Sequence, residues 1–234
     1  MTERLPRYMD SGRIYRDRVD AGTYLADQLE QYRGQDVLVL GIPRGGMPVA
    51  AEVALRLDAE MDVVVARKLG APGYPELAIG AVTANGGRFL NTDIISELGI
   101  SDDYLNSVTA EKQAEARQRE GRFRGSHPGP RIKDRIVIIV DDGLATGATM
   151  RAAVRSVRAQ APRTLIVAVP VGSRQASAAL RGEADEVLCL YAPEDFWAVG
   201  LYYRNFEPTE DEEVERLLHE SYARRRTDKG QVPS

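Results

Sequence analysis

The chain alternates between short, unbroken apolar runs and longer stretches with helical periodicity. Val37–Ile42, Met61–Ala66, Ile136–Val140, Leu165–Val169 and Glu186–Leu190 are rich in Val, Ile and Leu and show no polar alternation. Strands covered on both faces read this way, because neither face is left to water. Between most of them, apolar residues recur at helical spacing. Val49, Val53, Ala54 and Leu57 share one face, as do Met150, Ala153, Val154 and Val157. This alternation predicts an α/β fold: a mostly parallel sheet flanked by helices.

Three segments break the rhythm. Residues 1–33 begin as a polar arm and continue as a helix with Ala21, Leu25, Leu29 and Tyr32 on its core side. Residues 68–134 are too long for a plain connection. They hold a Gly/Pro stretch, LGAPGYPELAIG, expected to be a loop, and a hairpin around Asn85–Gly86–Gly87. A charged helix follows Ser101; its Arg117, Arg119, Arg122 and Arg124 are read most simply as a solvated face. Residues 192–208 gather Phe196, Trp197, Tyr202, Tyr203 and Phe206. A closing helix carries Glu210–Glu213 in its first turn, where the helix dipole favours negative charge. Residues 225–234 read as a frayed tail.

Composition narrows the classes. A chain of 234 residues supports one ample core, so 1–234 is expected to be a single domain. A net charge of −4 provides no general attraction to nucleic acid or to anionic membrane. The chain has no apolar leader-like start and no apolar run of about eighteen residues, so a cytoplasmic, membrane-free protein is expected. The single cysteine, Cys189, excludes an internal disulfide and a cysteine-based zinc site, and two histidines argue against a histidine-rich metal site.

The chemistry concentrates in IVIIVDDGLATGAT, residues 136–149. Asp141 and Asp142 stand at the carboxyl end of a predicted strand, where doubly wound sheets bind ligands. Gly143, Ala145, Thr146, Gly147, Ala148 and Thr149 then turn into a helix. Small residues let backbone N–H groups converge there, and a helix N-terminus adds positive potential, which makes a phosphate cradle. Two carboxylates on its rim accept hydrogen bonds and suit the vicinal hydroxyls of a ribose 5-phosphate. A Walker loop needs Gly-Lys-Ser/Thr, and a dinucleotide fingerprint puts its acid after the glycines; neither fits. The plainer alternative is a polar strand end with a helix cap.

With these residues in view, the stretch resembles the PRPP-binding motif of the type I phosphoribosyltransferases, and residues 35–191 have that family's order of elements. The resemblance implies a type I phosphoribosyltransferase-like fold with a small hood, here 192–208 with 1–16, and a helical insertion within 68–134. It also implies a diphosphate loop, supplied by GIPRGGMP with Arg44, Gly45 and Gly46, in which one peptide is often cis. Read on its own, that loop offers a cation and two unhindered amides before a helix, or simply a tight β–α turn. Arg67 and Lys68, closing the second predicted strand, are where the family brings basic residues to the diphosphate; a surface strand end is the alternative. The Gly/Pro loop that follows lies where the family has its flexible catalytic loop, from which Glu76 would face the acceptor, against the blander reading of a surface carboxylate. Trp197 would stack on a planar acceptor, unless the aromatics of 192–208 form a satellite core of their own.

The resemblance further implies transfer of the 5-phosphoribosyl group of PRPP to a small nucleophilic acceptor, with release of diphosphate. Mg²⁺ is the implied cofactor, meeting Asp141 and Asp142 indirectly through water. A homodimer is common in the family. The alternatives are a PRPP- or nucleotide-sensing regulator without transfer activity, and a hydrolase or phosphorylase using the same cradle. The acceptor, nucleobase or other, is not spelled out by any residue.

Overall fold

Residues 14–230 are described in the computed structural model. The chain enters through α1 (Arg18–Gln28), whose N-cap Asp17 accepts the Asp20 amide at 2.8 Å. Next come β1 (Val37–Gly41), α2 (Gly46–Leu57) and β2 (Glu60–Val63). Then β3 (Ala66–Ala71), β4 (Tyr74–Thr83) and β5 (Arg88–Leu90) precede α3 (Thr92–Glu97) and the long α4 (Asp102–Arg124). The core resumes with β6 (Ile136–Val140), α5 (Ala148–Arg158), β7 (Thr164–Val171), α6 (Arg174–Leu180) and β8 (Glu186–Tyr191), and α7 (Asp211–Gly230) follows.

The fold is α/β. Five strands pair in parallel in the order β2-β1-β6-β7-β8. Their pleat sorts side chains to two cores. Ile136, Ile138 and Val140 of β6 pack with α1, α2 and α7, whereas Val137 and Ile139 pack with α5 and α6. Both faces are therefore dry, which is why these strands read as continuous apolar runs. Neighbours β1 and β6 send α2 and α5 to opposite faces. Their carboxyl ends thus flank the crevice where such sheets take ligands.

A second, antiparallel sheet, β3-β4-β5, stands between two helices. Leu69, Ile79 and Val82 pack on Leu105 and Val108 of α4, while Ala81 packs on Ala148 and Ala152 of α5. The hairpin expected at Asn85–Gly87 is the β4–β5 turn, with Gly86 at φ +84 and its amide donating to the Thr83 carbonyl at 3.0 Å. Gly at a left-handed position is the ordinary requirement of such turns.

Several expectations need correction. The stretch expected to be a flexible loop is the paired β3–β4 hairpin. The second core strand stops at Val63, so Arg67 and Lys68 do not close it; they lie in β3. The arginines of α4 are not a solvated face. Arg124 is bonded to Asp62 and Glu120, Arg119 to Asp211, and Arg117 to the Ala84 carbonyl. The backbone is helical through Gly230, although the sequence reads as a frayed tail from 225; residues 231–234, like the arm at 1–13, lie outside the described residues.

Candidate functional site

The two glycine-bearing turns meet at the crevice between β1 and β6. Gly41 and Val140 are register partners, and the Ile42 amide continues the pairing to the Val140 carbonyl at 2.9 Å. The next residues on each strand are Pro43–Gly46 and Asp141–Gly143. A Cβ on Gly45 would run into the Asp142 carboxylate, and one on Gly46 would sit 2.8 Å from the Val140 oxygen and 3.0 Å from Asp141 Oδ1. Glycine here lets backbone lie directly on the acid pair. The Pro43–Arg44 peptide is cis.

Asp141 and Asp142 are held tightly. The Asp142 amide donates to Asp141 Oδ1 at 2.9 Å, and Arg18 Nε donates to Asp142 Oδ2 at 2.8 Å. The Tyr203 hydroxyl donates to the Asp142 carbonyl at 2.5 Å. Burial, then the neighbouring Asp142 carboxylate, pushes the Asp141 carboxyl well above the usual carboxylate range. Burial also raises Asp142, against the opposing pull of Arg18. The Tyr203 hydroxyl is raised as well, chiefly by burial.

Beyond the acids, the turn is open to a ligand. Leu144 is pinned to β7, its amide donating to Val171 and its carbonyl accepting from Ser173 at 2.8 Å. Gly147 takes φ +78 as the N-cap of α5. No acceptor among the described residues takes the amides of Ala145, Thr146, Gly147, Ala148 or Thr149. Amides left without a protein partner at a helix N-terminus are available to an anion. Thr146 is exposed and Thr149 half-buried, so both hydroxyls border the turn.

The remaining predicted site residues are dispersed. Arg44 turns to the start of α7, its Nη1 3.1 Å from Glu210 Oε2 and 4.0 Å from Asp211 Oδ1. Arg67 pairs with Glu115 of α4 at 2.9 Å. Lys68 is on the other face of β3. Its cross-strand partner Ala81 packs on Ala148 of α5, so only Lys68 stands on the side where the cradle begins. Glu76 is exposed on the outer part of β4. Trp197 is 84% exposed, outside the cluster formed by Tyr15, Tyr203, Tyr24, Tyr191, Phe196, Tyr202 and Phe206.

Residues 192–207 fold over the acid pair and pack as a satellite core: Phe196 stacks on Tyr202 with centroids 5.6 Å apart, and Val199 covers Gly143. The main residue that sequence reasoning missed is Arg18. It stands 124 positions from Asp142, and nothing local to it signals a partner.

No group of three or more His, Cys, Asp or Glu side chains able to hold a metal occurs among the described residues. A pair of adjacent carboxyls fits a hard cation shared with oxygens of a ligand or of water, and not a closed protein cage. No helix among the described residues is long and apolar enough to cross a membrane.

The family model of the phosphoribosyl transferase domain matches residues 12–205. A Mycobacterium tuberculosis protein named "Putative phosphoribosyl transferase Rv0571c" is 44% identical over 210 residues, which is 90% of this chain and 47% of that protein. The chain therefore spans about half the length of the curated relatives it matches. The crystal structure of TT1426 from Thermus thermophilus is 45% identical and superposes with a TM-score of 0.75, covering 88% of this chain and 98% of that one.

Proposed function

The chain belongs to the phosphoribosyl transferase domain family, and on that premise we propose that it moves the 5-phosphoribosyl group of PRPP to a small nucleophilic acceptor, releasing diphosphate. One observation carries the reading. Two half-buried acids lie directly on the Gly45–Gly46 backbone, and the next turn presents amides with no acceptor among the described residues. The amides of Ala145–Thr149 receive the 5-phosphate. Asp141 and Asp142 accept the vicinal ribose hydroxyls. The diphosphate then lies along the Gly45–Gly46 turn, with Lys68 approaching from β3.

Displacement at the anomeric carbon builds positive charge on the ribose while negative charge moves to the leaving group. Orientation and preorganised electrostatics therefore matter more than a strong base. The half-buried acid pair lies beside the carbon that becomes positive. The phosphate cradle is remote from that carbon, so its binding energy serves to hold the ribose in place. A bound Mg²⁺, met by Asp141 and Asp142 through water, would neutralise diphosphate charge.

The test is to incubate the protein with PRPP, Mg²⁺ and pooled small acceptors and to look by mass spectrometry for phosphoribosyl adducts. The expected result is an adduct that Asp142→Asn and Asp141→Asn each reduce by at least about 100-fold, a typical effect of removing a group that stabilises transition-state charge, while the fold persists. Unchanged turnover in both variants would refute the reading. PRPP bound but never consumed would favour a sensor.

A further inference from the structure

Among the described residues, Arg18 is the cation that ion-pairs with the acid pair. It is the first residue of α1, outside the strand–helix–strand units that build the crevice. Three contacts fix its guanidinium: Nε to Asp142 Oδ2 at 2.8 Å, Nη1 to the Glu207 carbonyl at 2.7 Å, and the Phe206 ring, 4.0 Å from the guanidinium carbon. The segments carrying these groups are stitched together by backbone. The Tyr15 amide donates to the Tyr202 carbonyl at 2.8 Å, the Arg204 amide to Tyr15 at 2.8 Å, and the Asn205 amide to Arg16 at 2.9 Å.

The Asp142 carboxylate is thus confined at Oδ2 by two neighbours. One is the Gly45 backbone, so close that a Cβ there would meet Oδ2 and would also lie 3.2 Å from Arg18 Nε. The other is Arg18, whose side chain is only 11% exposed. The terminal torsion of an aspartate is broad when unconstrained, so a free carboxylate would present its oxygens in many directions. A charge-assisted bond from a stacked, doubly anchored guanidinium removes that freedom.

We propose that Arg18 is the positioning residue of the acid pair: it orients the Asp142 carboxylate toward the ribose hydroxyls and makes that orientation depend on residues 15–18 and 202–207 being joined. The inference rests on the reading of Asp141 and Asp142 as the ribose site. Arg18 touches no substrate in this scheme. It acts through Asp142.

A double-mutant cycle tests it, with ribose 5-phosphate and inorganic phosphate as calorimetric probes of wild type, R18Q, D142N and R18Q/D142N. R18Q should weaken ribose 5-phosphate roughly 10- to 100-fold, the range for losing one charge-assisted hydrogen bond. It should leave inorganic phosphate, which needs only the cradle, within about twofold, and R18K should restore part of the loss. In the D142N background, removing Arg18 should cost less than about twofold, since the carboxylate it orients is gone. Additive losses, or equal weakening of both probes, would overturn the proposal and leave the ribose reading standing. A wild type that binds phosphate but gains nothing from the ribose would overturn both. If R18Q does not fold, R18K and R18K/D142N complete the same cycle.

Discussion

Arg124 is expected to be the costliest single charge to remove, and the cost should depend on pH. Its Nε donates to Asp62 Oδ1 at 2.7 Å, its Nη1 to Glu120, and its Nη2 to the Val63 carbonyl at 3.1 Å. Asp62 is 1% exposed and Glu120 7%, so one guanidinium serves two buried carboxyls. The only other side chain on Asp62 among the described residues is Tyr222, whose hydroxyl lies at 3.0 Å. Burial raises both carboxyls above the usual range even with Arg124 present. Arg124→Met keeps most of the stem and removes the charge. Losing one partner of a buried pair costs about 3–5 kcal/mol, which for a chain of this size is a drop in Tm of roughly 6 to 20 °C.

The pH dependence has a definite sign. A carboxyl whose folded pKa is raised contributes stability in full below its unfolded pKa, near 4. That contribution is lost as pH rises through the folded value. Without Arg124 both folded values rise further, so the variant's deficit opens above about pH 4 and is widest at neutral pH. Thermal melts of wild type and R124M between pH 4.5 and 7.5 should therefore show a gap that narrows on acidification. A gap independent of pH, or an R124M protein as stable as wild type, would refute the idea that Arg124 balances these two carboxyls.

Two further outcomes follow from particular contacts. Gly45 has ordinary helical angles, φ −62 and ψ −31, so Gly45→Ala incurs no backbone strain, but its Cβ meets the Asp142 carboxylate. Overpacking of this kind costs about 1–3 kcal/mol, so PRPP affinity should fall roughly 5- to 150-fold by calorimetry; unchanged affinity would mean the turn yields freely. Trp197 is 84% exposed, so Trp197→Ala should leave Tm within about 2 °C in a thermal melt followed by circular dichroism. A larger drop would show that the ring packs against the fold.

The parallel sheet is legible because its strands are dry on both faces, so their composition alone marks them. The acid pair is legible for a different reason. Asp141, Asp142 and the turn to Thr149 are consecutive, so the motif can be read from one short stretch of sequence. The β3–β4 hairpin is not legible, because its glycines and prolines read as loop breakers. Gly70 instead allows close approach: a Cβ there would lie 2.7 Å from Pro75 Cα, at a point where the strand register shifts. A glycine that breaks a strand and one that lets two strands touch look the same in sequence.

Charge is the least legible feature, and the reason is separation. Arg119 finds Asp211 92 residues away and Arg124 finds Asp62 62 residues away, so a helix that reads as solvated is in fact an interface. The same holds at the site. Its floor, from Gly41 to Gly46 and from Asp141 to Thr149, is two local motifs on neighbouring strands. Its wall joins residues 15–18 to 202–207, and neither segment means anything without the other. The floor is therefore written locally. The wall exists only once α1 and the aromatic segment have met over Asp142, and Arg18 is the side chain that spans that junction.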